Sequence, residues 1–77
     1  MVVLRVLDHS IYSRKAIGEA RTAYKDHCSV TVEPLPGDRA QLRISVLPKH
    51  EADGREVVLS FLNYALDKAS ERQLRDA

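Results

Sequence analysis

The hydrophobic period of this chain changes twice along its length, and those changes leave few folds open. From residue 28 to residue 46 apolar side chains fall at every second position. Cys28, Val30 and Val32 stand on one side of Pro34-Leu35-Pro36-Gly37-Asp38, and Leu42, Ile44 and Val46 on the other. Ser29, Thr31, Glu33, Gln41, Arg43 and Ser45 fill the gaps with polar groups. Successive side chains of a strand point to opposite faces, so this alternation describes two strands, each with one apolar and one wet face. The segment between them is turn chemistry: proline presets φ and glycine accepts the positive φ that other residues resist. The expectation is a hairpin covered on one side and open on the other.

On both sides of the hairpin the period lengthens to that of a helix. Ser13 is a good N-cap, and after it Ala16/Ile17, Ala20, Ala23/Tyr24 and His27 recur at helical spacing, which predicts a helix over 13–27. A second, longer helix is predicted over 55–75, with Val58, Phe61/Leu62, Ala65/Leu66 and Ala69 as its apolar stripe and Glu71 and Arg75 as an i,i+4 pair. Residues 2–7, apolar and β-branched apart from Arg5, read as a first strand. Asp8-His9-Ser10 is a turn, and Lys49 to Gly54 a polar connection. The order is β-α-β-β-α, an α+β class. The crossover from the first strand through the helix to the second is expected to be right-handed. Strand 3 is expected between strands 1 and 2, with both helices on one face of the sheet and the other face open.

A chain of 77 residues is one domain, 1–77, and folding at this size buries only a little over ~60% of the extended chain's surface. Small domains often draw further support from disulfides, metals or association. The single cysteine, Cys28, excludes an internal disulfide. A three-stranded sheet also has two edges and little bulk to cover them. Association is therefore expected: a homodimer, or docking on a protein or peptide partner. Twelve basic residues against 11 acidic ones leave no basic arm or acidic tail, which argues against nucleic-acid and membrane partners. The apolar run at the N-terminus is short, broken by Arg5 and followed by no small-residue cleavage site, so it does not read as a signal peptide. The expected compartment is the cytoplasm, which suits a lone free thiol.

Chemistry-bearing patterns are weak. His9, His27, Cys28 and His50 do not form the spaced pairs that zinc sites use. Cys28 follows a helix C-terminus, where the dipole disfavours a thiolate, so it reads as a core thiol. Gly18, Gly37 and Gly54 are isolated and form no phosphate cradle. For RNA, the open face lacks the aromatics of an RRM and the chain lacks a G-x-x-G. Arg5 and Arg43 are available to a phosphate, but Glu33 lies on the same hairpin face. No catalytic residue, metal or cofactor is expected. The best candidate for a contact surface is the last helix. There Asn63, Tyr64, Asp67, Arg72 and Arg75 combine polar groups with one aromatic anchor.

Several of these segments resemble a known family. Tyr12-Ser13 precedes an alanine-rich helix ending Ala23-Tyr24. The strand Val30-Thr31-Val32-Glu33 and Leu47-Pro48-Lys49 follow. Phe61-Leu62-Asn63-x-x-Leu66-Asp67 then leads to Arg72 and Leu74-Arg75-Asp76. Together, over about residues 10–76, they resemble HxsD, the small protein of bacterial His-Xaa-Ser systems. The resemblance implies a non-catalytic accessory protein encoded with radical-SAM enzymes that modify a repeat-bearing peptide. A second likeness, of length and element order alone, is to the small dimerisation subunit of the KEOPS tRNA-modification complex.

Overall fold

In a computed structural model the backbone is described for residues 1–76 and the side chains for residues 1–70. The elements follow the expected order: β1 (Val2–Asp8), α1 (Arg14–Ala23), β2 (Cys28–Leu35), β3 (Arg39–Val46) and α2 (Gly54–Asp76). The sheet is antiparallel with strand order β1-β3-β2. Central β3 pairs Leu42 with Arg5 on one side and with Val32 on the other. Both helices pack on one face, where Leu42, Ile44, Ile17 and Phe61 are the largest fully buried side chains.

The hairpin owes its form to its turn. Gly37 (φ 81°) and Asp38 (φ 57°) are both left-handed, a conformation that glycine tolerates freely and aspartate better than most. β2 runs two residues further than the alternation alone indicates and takes in Pro34 and Leu35. Proline fits because the ladder bonds of β2 come from its odd-numbered residues. Leu47 N–H donates to His27 O, which fixes that parity, and the backbone of Pro34 points away from β3. Its missing N–H costs no ladder bond there.

Helix α1 starts as expected. The Ser13 hydroxyl accepts the Ala16 N–H at 3.1 Å. It ends at Ala23, earlier than the helical spacing through His27 predicts. The N–H of Tyr24 still reaches Ala20 O, but the chain then turns tightly, with the N–H groups of His27 and Cys28 both donating to Tyr24 O. Tyr24 and His27 keep their inward side by this turn rather than by a further helical one.

Helix α2 is entered through a 3-10 helix, Pro48–Asp53, where a plain connection was expected. Gly54 lies so close to the N-terminal residue that a Cβ there would collide with the Met1 sulfur and meet Val46 Cγ2 at 3.6 Å. The buried face of α2 comprises Val57, Val58, Phe61, Ala65 and Ala69. It is turned slightly from the expected stripe: Val57 is inside, Leu62 is half-buried and Leu66 is exposed.

Phe61 is completely buried, and Tyr64, expected on the outer surface, is half-buried against the core. Its ring meets Tyr24 edge-on at 5.7 Å, with Lys68 Nζ 5.4 Å from its centre. Phe61→Ala is therefore expected to cost on the order of 3–5 kcal/mol and to leave little folded protein. Tyr64→Ala should cost about 1–2 kcal/mol, from lost burial and a lost aromatic pair. Urea denaturation of both variants checks the order, and a Tyr64→Ala protein as stable as the parent would place that ring in solvent.

Candidate functional site

The described residues singled out for contact on α2 differ in exposure. Asn63 and Asp67 are exposed and one turn apart. Tyr64 is turned towards α1, where it borders a shallow groove with Glu19 and Ala23. The side chains of Arg72 and Arg75 lie outside the described residues. The outward face of α2 thus offers Asn63 and Asp67, and beside them two exposed leucines, Leu59 (56% accessible) and Leu66.

The open face of the sheet carries a feature that the alternation of β2 and β3 does not announce. Ser29, Thr31, Glu33, Gln41, Arg43 and Ser45 occupy it as expected. On β1, however, the residues opposite Ser45, Arg43 and Gln41 are Val2, Leu4 and Val6, each a little over half accessible. The outer third of the open face is therefore an apolar stripe. The signal in the sequence is that residues 2–7 are apolar at both parities, the pattern of a strand covered on both faces. Arg5 points to the other side of the sheet, opposite Leu42, so it does not share a face with Arg43, and the two arginines cannot converge on one phosphate.

The two sheet edges differ. The outer edge of β2 presents Pro34 beside the charge of Glu33, both of which discourage strand addition. The outer edge of β1 has no proline, and its charges are Arg5 at mid-strand and Asp8 at the end. Val46 N–H donates to Met1 O and His9 N–H to Asp38 O, so the odd-numbered residues of β1 bond to β3. The backbone groups of Val2, Leu4 and Val6 face outward. Arg5 Nη1 donates to Leu4 O at 3.0 Å and partly screens that edge. At the end of the strand the Asp8 carboxyl is held below the usual carboxylate range, first by the Ser10 backbone N–H at 2.8 Å, then by the Ser10 hydroxyl and Arg39.

The imidazoles are arranged in a way that sequence distance conceals. The 3-10 helix brings His50 onto His27, with rings stacked at 4.6 Å, and the Tyr24 ring lies 5.8 Å from that of His27 in a tilted arrangement. Nδ1 of His27 is buried with no hydrogen-bond partner. Among the described residues no three histidine, cysteine or acidic side chains converge as a metal site would need. His9 is engaged elsewhere, its Nδ1 3.0 Å from Tyr12 O. Cys28 points into the core.

A second concave surface, about 290 Å³, lies between α1 and the hairpin, with Ile17, Val32 and Ala40 below and Arg14, Arg21 and Arg39 at the rim. Two of these cations are partly engaged: Arg14 with Asp38 at 3.3 Å, and Arg39 Nε with Pro36 O at 3.3 Å.

No helix among the described residues is long and apolar enough to cross a membrane. Comparison with protein-family models, curated proteins and solved structures gave no match.

Burial pushes the Cys28 thiol above its ordinary value, so the neutral form persists in the folded protein. A raised pKa means that any stability this group confers is fully present below the unfolded thiol's pKa and is lost as pH rises through the folded one. Native protein at pH 8 should therefore react with iodoacetamide at least about tenfold more slowly than urea-unfolded protein. Equal rates would show that Cys28 is reachable and ionised.

Proposed function

We propose that this protein is a non-catalytic accessory that works by holding a protein or peptide partner. The observation that carries this reading is the amount of apolar side chain left in water on a chain this small. Val2, Leu4 and Val6 lie on an edge strand, on the open face of the sheet, and Leu59 and Leu66 lie on the last helix. A small monomer that worked alone would gain nothing from a strand apolar on both faces. Such a strand favours aggregation unless something covers it. Asn63 and Asp67, outermost on α2, supply polar groups beside those leucines, the mixture that contact surfaces use.

The likeness of Phe61-Leu62-Asn63-x-x-Leu66-Asp67 to HxsD gives the reading a setting: maturation of a His-Xaa-Ser peptide beside radical-SAM enzymes. Within the motif Phe61 is core, whereas Asn63, Leu66 and Asp67 are accessible, so the part available for recognition is the polar part and one leucine.

The test is a binding measurement with the products of neighbouring genes. Purified protein is expected to bind a radical-SAM enzyme or its precursor peptide and to ignore tRNA. The double variant Asn63→Ala/Asp67→Ala, at exposed positions, should fold normally and weaken that binding by about tenfold, since paired polar contacts are worth ~1–2 kcal/mol at an interface. Retention of tRNA together with a kinase-like partner would replace this reading with the KEOPS-like one.

A further inference from the structure

We infer that the chain forms a two-fold dimer through β1, with Leu4 of each copy facing Leu4 of the other and the two α2 helices meeting above the joined strands. This rests on the reading of the chain as a protein that works by association, and it assigns the β1 edge to a second copy.

Parity comes first. In β1 the residues whose side chains lie on the open face, Val2, Leu4 and Val6, are also those whose N–H and C=O groups point to the free edge. An antiparallel neighbour bonds through such residues on both chains, and directly opposed residues share a face. A second copy of β1 satisfies both conditions when even-numbered residues face even-numbered ones.

Three two-fold registers then leave a substantial overlap, and charge and composition separate them. Centring on Arg5 places two guanidinium groups opposite each other in a closely spaced pair and sets Val2 against Asp8. Centring on Val6 sets Leu4 against Asp8 and leaves Val2 unpaired. Centring on Leu4 sets Val2 against Val6, Leu4 against Leu4 and Val6 against Val2, with Arg5 opposite Val3. Only this register joins the two apolar stripes into one and keeps the arginines apart. Each of its three even pairs exchanges two backbone hydrogen bonds. The bond from Arg5 to Leu4 O gives way to the new ladder.

A single added strand pairing is marginal in water without a second apolar layer. The layer is present in α2. Helix α1 borders β2, with Gly18 and Arg21 beside Val30, and α2 packs against α1 and β3 and begins at Gly54 beside Met1. Tyr64 and Lys68 face α1. Leu59, Leu62 and Leu66, at spacings of three and four, form the opposite flank, turned away from α1 and accessible to a second copy. With strands about 4.8 Å apart, a helix seated over the β1–β3 seam lies about 5 Å from the two-fold axis. Two copies then stand about 10 Å apart, which is helix-packing distance. The levels agree as well. Gly54 abuts Met1. From that contact Leu62 is eight residues along a helix, about 12 Å, and Leu4 is three residues along a strand, about 10 Å. The axis that passes between two Leu4 residues therefore passes near Leu62, and brings Leu59 of one copy towards Leu66 of the other.

The experiment is sedimentation velocity at tens of micromolar combined with cysteine cross-linking of the whole chain. The parent protein should sediment as a dimer. Leu4→Arg, at an exposed position, should keep its circular dichroism and raise the dimer's Kd by at least about tenfold. Leu4→Cys should form a disulfide-linked dimer under mild oxidation, because opposed Cα atoms of a hydrogen-bonded pair lie about 5.5 Å apart, within disulfide range. Val6→Cys should not self-link, and should link to Val2→Cys when the two proteins are mixed. Buried Cys28 supplies the unreactive background. A monomeric parent overturns the inference, as does a dimer that survives Leu4→Arg, or cross-linking of Val6→Cys alone in place of Leu4→Cys. A monomer that still binds its partner through Asn63 and Asp67 would overturn the dimer and leave the accessory reading standing.

Discussion

Everything in this domain hangs on the inner face of β3. Both other strands pair with β3 and not with each other. Its inward residues Ala40, Leu42, Ile44 and Val46 are all buried, two of them completely. Phe61 from α2 and Ile17 from α1 join them in the same cluster, so both helices are held by one strip of sheet. Small residues take up much of the buried face of both helices: Ala16, Ala20, Ala65 and Ala69 are almost wholly inaccessible. Alanine there gives up apolar area and gains a short interhelical distance, which keeps both helices over three strands. The consequence is a narrow core. A single aromatic ring carries much of its volume, and the outer strand β1 receives less cover than the centre.

How much of this was legible in the sequence depended on whether local rules and tertiary demands agreed. In β2 and β3 they agreed, because one face is buried along the whole hairpin and the alternation is clean. The end of α1 was not legible. Tyr24 and His27 hold inward positions in a turn that happens to preserve helical spacing, and no glycine marks the boundary. Pro34 read as a turn residue because proline is excluded from most ladders, yet its backbone lies on the one side of β2 that makes no ladder bonds. On α2 the spacing of Leu62 and Leu66 matched the core pattern as well as that of Val57 did. Which of them went inside was decided by where α1 lies. The stacking of His27 on His50 joins two residues with a whole hairpin between them, and nothing local could have indicated it.

The candidate surface was legible in part, and the part missed is instructive. The contact residues expected from the sequence, Asn63, Tyr64, Asp67, Arg72 and Arg75, combine polar groups on α2 with one aromatic ring. Asn63 and Asp67 are accessible, but Tyr64, the intended aromatic anchor, has already found its partners in Tyr24 and Lys68. The stronger signal was the lack of alternation in residues 2–7. A strand apolar at both parities, in a sheet whose other strands are polar on one face, leaves Val2, Leu4 and Val6 accessible on the open face.

Arg5 gives that edge its character. Its side chain lies on the helix side of the sheet, yet it reaches its own neighbour's outward carbonyl. An exposed contact of this kind is worth little, ~0–1 kcal/mol. It is enough to occupy one edge acceptor in the monomer and too weak to compete with a full set of ladder bonds. A charge in this position discriminates more than it stabilises. In the proposed dimer the second β1 also displaces this contact, and the Leu4-centred register then sets each arginine opposite Val3. The same residue thereby penalises the neighbouring Arg5-centred register, in which two guanidinium groups would meet. One arginine among the apolar residues of β1 thus blunts the edge against unspecific pairing and, in the dimer proposed above, disfavours the register that would oppose two guanidinium groups.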